Sequence, residues 1–271
     1  MGDDLSYWAR GTALAVARYA VIVATVGVLI SVLPRTVAPR IQPRSPRPAQ
    51  LRREAISSIV SAVIFSSILY VSVMAHLISP QPFESLPIWR WAVALLVLLI
   101  GHDTWFYWTH RLLHTRAFWP IHQLHHQSRT PTVLTAYAFH PLEALVNGAF
   151  ILPASLITPL SYPVLVAFMV TMIARNAMAH GGREVFPAGR DGHPRLGWMT
   201  TVTHHDLHHQ RGAGNYGLYF SFWDRIMGTE RADYLDAYRR ARNGASVGVS
   251  PQPIEGDPVA ETPAAHSGQR P

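Results

Sequence analysis

Long apolar stretches alternate with short polar segments along the chain. The first runs from Thr12 to Leu33, the second from Ala55 to Ile78, and the third from about Leu86 to Trp108. At a rise of about 1.5 Å per residue, each can cross a hydrocarbon core of about 30 Å. Arg18 interrupts the first stretch, near enough to its end for the side chain to reach the interface. The pattern predicts three membrane-spanning helices.

A further apolar region extends from Pro141 to Ala179 and contains Pro153, Pro159 and Pro163. Proline breaks helices, so the region divides into two pieces of roughly 17 residues, near the lower limit for crossing a bilayer. Two spans and a re-entrant hairpin both fit this pattern, and both return the chain to the side from which it entered. We therefore expect an all-α integral membrane protein with four to five transmembrane or re-entrant helices.

Charge predicts the orientation of these helices. The loop from Pro34 to Arg53 contains six arginines and no acidic residue, so the positive-inside rule places it in the cytoplasm. The third helix returns the chain to that side. Short loops and the lack of a targeting signal favour a bacterial inner membrane. The net charge is +7, but the arginines form no stripe interleaved with aromatic residues, and this argues against nucleic acid as a partner.

Histidines are concentrated in three runs on the predicted cytoplasmic side, where we expect a helical cap. The runs are H-x-x-x-H, with His110 and His114, and two copies of H-x-x-H-H, with His122, His125 and His126 and with His205, His208 and His209. Helical spacings of three and four residues place side chains on one face, so each run can converge on one side. Eight imidazoles exceed the three or four ligands of one zinc site. Two metal ions fit the count better.

The ligand atoms available in the chain narrow the choice of metal but do not identify it. The chain contains no cysteine, which excludes thiolate zinc sites and iron–sulfur clusters. Imidazole suits zinc, copper, iron and nickel. The Glu-x-x-His pairs of soluble di-iron bundles are absent around the runs, so a di-iron site here must be rich in nitrogen.

Several motifs occur in an order that resembles the fatty acid hydroxylase/sterol desaturase superfamily. They are HDTWFYWTHRLLH, HQLHHQS, the AYAFHPLE segment at 136–143, HHDLHHQ, NYG and FWDRIMGT. The resemblance covers about Leu86 to Glu230. It implies a membrane enzyme with two metal ions, normally iron, that uses O2 to hydroxylate or desaturate a lipid.

The resemblance also implies a ligand set. Matching the family's motifs position by position gives ten candidate metal ligands, which are His110, His114, His122, His125, His126, His140, His180, His205, His208 and His209. The H-x-x-x-H spacing of the first pair resembles the sterol-desaturase-like branch more than the ceramide-acting branch, whose spacing is one residue longer.

Cofactors and partners follow from the same resemblance. We expect two iron ions, with zinc possible in a purified form, and O2 as co-substrate. The substrate is a sterol-like or fatty acyl lipid, and the product an alcohol or an alkene. The sequence contains no cytochrome-b5-like domain or flavin fingerprint, so we expect a separate electron donor, such as a ferredoxin, cytochrome b5 or a reductase.

Polar residues outside the ligand set suggest supporting roles. Asp103 lies in the third apolar stretch on nearly the same helical face as His110, where a carboxylate is costly. It either accepts the N–H of a ligand histidine or bonds to another helix. His102 lies deeper and fits a supporting or substrate-lining role. His193 is predicted to be solvated, and His204 is left outside the ligand set.

Three regions are predicted from these features. Residues 1–85 hold the N-terminal membrane helices and the basic loop, residues 86–242 form the catalytic domain, and residues 243–271 are rich in Pro, Gly, Ala and Ser, which predicts a disordered tail. A histidine-rich membrane metal transporter is the alternative from another class. Transport sites are expected near the bilayer midplane, whereas these histidine runs lie outside the spans.

Overall fold

The computed structural model describes residues 2–78, 87–158, 160–245 and 247, and within them the chain is helical with no β-strand. A 3₁₀ helix, Val133–Tyr137, lies between α4 and α5. The α-helices are α1 (Gly2–Val32), α2 (Pro48–Met74), α3 (Ile88–Leu113), α4 (Trp119–His126), α5 (Pro141–Gly148), α6 (Ile151–Ile157), α7 (Tyr162–Ala179), α8 (Val202–Arg211), α9 (Phe222–Ile226) and α10 (Tyr234–Arg242).

Four of these helices, α1, α2, α3 and α7, are long and apolar enough to cross a membrane. Only 22% to 39% of the most apolar window of each is buried within the protein, so most of that surface is free to face lipid. The predicted all-α membrane fold is confirmed, and the chain is a multi-pass membrane protein. The helices are longer than the apolar stretches predicted, since α1 begins at Gly2 and α2 begins at Pro48.

The longer first helix changes the position of Arg18. Because α1 extends from Gly2 to Val32, Arg18 lies near its middle rather than near an end. The first ten residues of the helix are largely polar, so Arg18 lies six residues after the start of the apolar stretch at Thr12, where its charge needs a polar environment inside the protein or at the nearby interface.

The region between Pro141 and Ala179 forms a hairpin of unequal arms. Its first arm is divided into two short helices, α5 and α6, and its second arm is α7, with 18 residues. His140 caps α5, where its ring Nδ1 accepts a hydrogen bond from the backbone N–H of Leu142 at 3.2 Å. The first arm is shorter than a membrane span, whereas the second is just long enough.

Packing joins the N-terminal helices to the rest of the chain. Helix α1 packs on α2 and α7, and both α1 and α2 pack on the 3₁₀ helix, around a core that includes Tyr19, Tyr137 and Ile173. A second core beneath α8 and α10 contains Leu207, Tyr234 and other residues of the cap. The membrane helices therefore support a helical cap at one end. Most of the tail predicted from residue 243 onward, and most of the loop that joins α2 to α3, lie outside the described residues.

Candidate metal centre

Three helices carry the histidine runs to one place. His110 lies in the last turn of α3, and His114 is the first residue after that helix. The H-x-x-H-H runs form α4 and α8. Helix α8 begins where the Thr201 side chain accepts a hydrogen bond from the backbone N–H of His204, and it ends at Gly212, whose φ of 75° suits glycine. The backbones of these short helices fix the direction in which each ring projects.

The histidines form two groups. Within each group one ring nitrogen of every member lies within 4.8 Å of one ring nitrogen of every other member. The five-histidine group is His110, His114, His122, His126 and His208. The four-histidine group is His125, His180, His205 and His209. All nine rings are buried, and rings of the two groups touch, as with His126 and His209 at 5.0 Å between centroids.

The members of each H-x-x-H-H run lie on one buried side of their helix but divide between the two histidine groups. In α4, His122 and His126 join the five-histidine group, whereas His125 joins the other. At 3.6 residues per turn, positions i and i+4 are about 40° apart, whereas i+3 lies about 60° away on the other side of i. Helix α8 repeats this division with the groups exchanged, since its i+3 residue, His208, joins the five-histidine group. Each run thus serves both groups.

Hydrogen bonds on the outer ring nitrogens fix the tautomers. Nδ1 atoms lie 2.8–2.9 Å from backbone carbonyl oxygens in three pairs, His110 with Tyr216, His208 with Gly214 and His180 with Asn176. A carbonyl oxygen only accepts, so each Nδ1 carries the proton and each Nε2 presents a lone pair inward. Metal-binding histidines use the same arrangement.

The inward nitrogens fit a bound cation. His110 Nε2 lies 3.1 Å from His122 Nε2, and His180 Nε2 lies 2.9 Å from His205 Nε2. At a metal–nitrogen bond of about 2.1 Å, two ligand nitrogens at right angles are about 3.0 Å apart. Lone pairs facing each other at this distance repel unless a cation lies between them. The donor set and its spacing therefore suit a metal ion in each group.

Burial keeps these rings in the form that binds metals. It lowers the pKa of His180 to about 4 and, with the charge that neighbouring histidines would carry, holds the pKa values of His122, His125 and His208 well below their ordinary value. The rings are consequently neutral at pH 7, and metal binding does not have to displace protons from Nε2.

Glu143 is a site residue to which sequence reasoning assigned no role. Its Oε1 lies 2.7 Å from His122 Nδ1, in the position that carbonyl oxygens take for other ligands, and its side chain is buried. The signal was present in the sequence, because Glu143 is the first acidic residue after the second histidine run and follows His140 by three positions. We assign Glu143 to positioning His122.

Two predicted site residues have other roles. His140 lies outside both groups and caps α5, so its expected part as a ligand is not supported by its position. Asp103 does not accept from a ligand histidine. Its Oδ1 accepts from the backbone N–H groups of Tyr219 and Phe220, at 2.7 Å and 3.2 Å. Asp103 accepts these hydrogen bonds because the segment after α8 packs against α3 and presents buried backbone N–H groups that need an acceptor.

The remaining polar residues have defined environments. His102 Nδ1 lies 2.8 Å from the Tyr219 hydroxyl, and the ring lines a cavity. His193 lies 2.9 Å from the Arg239 guanidinium near the surface. His204 is buried outside both groups, with Nε2 3.7 Å from an oxygen of Asp224.

An apolar cavity of 460 Å³ extends between α1, α2, α3 and α7 toward the histidine groups. Phe106 and Phe139 line it and separate it from the ligands. The Phe106 ring is 4.9 Å from the His110 ring, and the Phe139 ring is 5.2 Å from the His125 ring, between centroids. Each group of histidines thus has one aromatic contact with the cavity.

The fold and the site define a multi-pass helical membrane protein with two adjoining histidine groups that could each hold a metal ion beside an apolar cavity. Residues 95–229 match the family model "Fatty acid hydroxylase". With the histidine motifs in the family's order, this match shows that the chain belongs to the fatty acid hydroxylase/sterol desaturase superfamily, as the resemblance predicted.

Individual relatives agree with this assignment. The chain is 33% identical over 156 residues to methylsterol monooxygenase 1 of Rattus norvegicus, a match that covers 56% of this chain and 51% of the relative. It is 28% identical to the Delta(7)-sterol 5(6)-desaturase ERG3B of Gibberella zeae, over 53% of this chain and 44% of the relative.

A third relative is matched over more of its length. The very-long-chain aldehyde decarbonylase GL1-9 of Oryza sativa subsp. indica is 28% identical, over 67% of this chain and 70% of the relative. The chain spans about half the length of the sterol relatives. No solved structure matches it.

Proposed function

We propose that the protein is an O2-dependent lipid hydroxylase or desaturase with one iron ion in each histidine group. The observation that carries the proposal is the convergence of nine buried histidines beside an apolar cavity. Iron bound there would supply the oxidising power needed to remove hydrogen from an unactivated C–H bond with O2. The names of the relatives favour lipid oxidation over metal transport.

The protein's own residues would hold the metals and exclude water. Nine neutral imidazoles would each offer one ring nitrogen, backbone carbonyls orient three of the rings, and Glu143 orients His122 among the others. Phe106 and Phe139 cover the two groups on the cavity side, which keeps bulk water from the reacting carbon. The cavity would hold the lipid with that carbon against the two aromatic rings.

Substrate and electron donor are proposed at the level of chemical class. The cavity lies between membrane helices and is mostly apolar, so the substrate is a lipid that enters from the bilayer, either sterol-like or fatty acyl. Electrons would come from a separate protein that docks on the cap. The arginine-rich loop supports a cytoplasmic cap, and we propose a bacterial inner membrane for the location.

Metal stoichiometry tests the proposal. We expect about two iron ions per chain after anaerobic purification in detergent, because each histidine group has enough donors for one ion. His125→Ala and His208→Ala alter different groups, so each should lower the content to about one. Elemental analysis of the wild type and both variants gives the numbers, and lipid turnover with a chemical reductant and O2 tests the activity.

Two other histidines provide the controls. His140→Ala and His193→Ala lie outside both groups and should keep the wild-type metal content. A wild-type protein that holds one tightly bound ion or none would contradict the two-metal site. Metal loss in His140→Ala as large as in His125→Ala would restore His140 as a ligand.

A further inference from the structure

Large apolar side chains on the surface of the cap are gathered in one place. Most exposed residues of the cap are polar or small, and α10 exposes Asp236 and Arg240. In the described part of the chain after His180, the large apolar residues with exposed side chains are Leu196, Trp198, Phe222, Ile226 and Met227. We call these five residues the apolar patch. Single apolar residues are normal on a protein surface, whereas a contiguous group marks a site of contact.

Hydrogen bonds join the members of the apolar patch into one surface. Residues 196–199 pack beside the start of α9, because the Ser221 N–H donates to the Trp198 carbonyl and the Ser221 hydroxyl donates to the Gly197 carbonyl, both at 3.0 Å. Phe222 and Ile226 are one turn apart on α9 and therefore share a face. The exposed fractions of Trp198, Phe222 and Ile226 are 56%, 56% and 59%. The structure leaves more than half of each side chain uncovered.

This surface lies beside a helix that can cross the membrane. Trp223, the second residue of α9, donates from its indole N–H to the Thr104 hydroxyl of α3 at 3.1 Å. Its ring lies 5.9 Å from the ring of Tyr107 and 5.6 Å from the ring of Trp108, between centroids. Thr104 lies nine residues before the end of α3 at Leu113. At a rise of about 1.5 Å per residue, α9 contacts α3 about 8–14 Å before that helix ends.

The same part of α3 has exposed apolar side chains. Trp108 is exposed next to Trp223, and Ile100 is exposed about two turns earlier on the same helix. Tryptophan is enriched at the depth where hydrocarbon meets the lipid headgroups. A bilayer that covers α3 as far as Trp108 also reaches α9, because Trp223 packs directly on that residue. The lipid-facing surface of α3 thus continues onto the cap.

Arginines border the apolar patch. Arg195 precedes Leu196 in the chain and is exposed, and Arg225, which pairs with Glu230, is exposed next to Ile226. A long basic side chain can lie along apolar neighbours while its charge reaches the headgroups. An apolar face with basic residues at its edge is typical of a surface that lies in a membrane interface.

We propose that the apolar patch is embedded in the interface of the bilayer leaflet on the cap side. Lipid is favoured over a second copy of the chain or an electron donor, because the patch continues the lipid-facing surface of α3 at the level of Trp108. The cap consequently lies partly in the membrane on its α9 side, whereas Asp236 and Arg240 of α10 face water. The inference is independent of the proposed function, since it involves neither the metal ions nor the substrate.

Spin labels measure the depth of the apolar patch. The chain contains no cysteine, so one introduced cysteine carries the only nitroxide. Phe222→Cys and Ile226→Cys place the label in zinc-loaded protein reconstituted into vesicles of phosphatidylcholine and phosphatidylglycerol. Power saturation compares the access of O2, which partitions into lipid, with that of a nickel chelate, which stays in water. We expect both labels to lie about 5–10 Å into the boundary between headgroups and acyl chains.

Two further labels are matched controls. Asp236→Cys is exposed on α10, and its label should be accessible to the nickel chelate. Leu96→Cys is exposed on α3, and its label should respond mainly to O2. Labels at 222 and 226 that are as accessible to the nickel chelate as the label at 236 would overturn the inference. A docking site for a soluble electron donor gives this result, since the donor is not present.

Trp198→Phe provides a measurement without a label. The difference in fluorescence between the wild type and this variant reports on Trp198. Lipids brominated near the headgroup should quench that difference several-fold more than lipids brominated near the chain ends, because the patch lies at the interface rather than in the hydrocarbon. No quenching by either lipid would contradict the proposal.

A second copy of the chain on the patch has its own signature. Dipolar broadening of the Phe222→Cys label, lost when labelled protein is diluted with unlabelled protein, would show two copies in contact there. That result would overturn lipid as the occupant of the apolar patch.

Discussion

Single residues at the metal centre act mainly by directing the rings of others. His110, His208 and His180 each donate from Nδ1 to a backbone carbonyl oxygen, so main-chain geometry fixes their orientation. His122 differs, because its Nδ1 meets the side chain of Glu143. A side-chain acceptor can be removed by mutation without changing the backbone, which makes this contact the one to test.

Removal of Glu143 should weaken one metal site selectively. We expect Glu143→Ala to lower the metal affinity of the five-histidine group about 10- to 100-fold, because the ring of His122 loses its acceptor. Glu143→Gln should lose less, since the amide oxygen still accepts. Competition with a chelator, followed by elemental analysis, measures both sites.

Glu230→Ala serves as the control for this experiment, because Glu230 pairs with Arg225 at the surface of the cap. Its metal affinities should equal those of the wild type. An equal loss at both histidine groups in Glu143→Ala, or no loss at either, would contradict the assigned positioning role.

At the scale of elements, the segment between α8 and α9 joins the cap to the membrane helices. Its Tyr216 carbonyl orients His110, and its Tyr219 and Phe220 N–H groups bond to Asp103 of α3. Asp224 of α9 accepts from the N–H groups of Tyr216 and Gly217 in the same segment. Two carboxylates thus hold the loop that positions a ligand.

Loss of the Asp103 carboxylate should destabilise the protein and loosen the five-histidine group. We expect Asp103→Leu to cost about 2–5 kcal/mol, because two backbone N–H groups lose their acceptor in a mostly buried setting. Chemical unfolding in detergent measures the loss. Asp103→Asn, which keeps an acceptor oxygen, should cost less.

Asp191→Asn is a suitable reference, since Asp191 is exposed in a loop of the cap and should show almost no change. A stability of Asp103→Leu equal to that of this reference would show that the loop does not depend on the carboxylate.

At the scale of the whole molecule, the burial of so many histidines couples folding to pH. Burial lowers the pKa of His180 to about 4 from an ordinary 6.5, so the unfolded chain takes up a proton at a higher pH than the folded protein. The stability that this ring contributes is therefore complete above pH 6.5 and is lost as the pH falls toward 4. Glu184 and Asp206 act oppositely, because burial raises their pKa values.

The metal-free protein should consequently unfold in mild acid. Each ring with the shift of His180 contributes about 3 kcal/mol, and several others share its direction, so we expect a steep fall in stability between about pH 6.5 and pH 4. Thermal unfolding of chelator-treated protein across this range measures the effect. A variant with His125 and His205 both changed to Gln should show a shallower fall.

A flat pH profile of the metal-free wild type would contradict this account of the buried rings. Metal-loaded protein should remain folded to lower pH, because binding to the folded state alone stabilises it.

The sequence by itself determined the membrane class and most of the donor set. Apolar length dictates which helices can cross a bilayer, and helical spacing brings His110 and His114 together because both effects are local. Only the tertiary structure decided how the histidines of each H-x-x-H-H run divide between the two groups, because that division depends on where α4 and α8 lie relative to the other helices. It also decided the contacts of Glu143, Asp103 and Trp223, because their partners are distant in sequence and come together only when the helices pack.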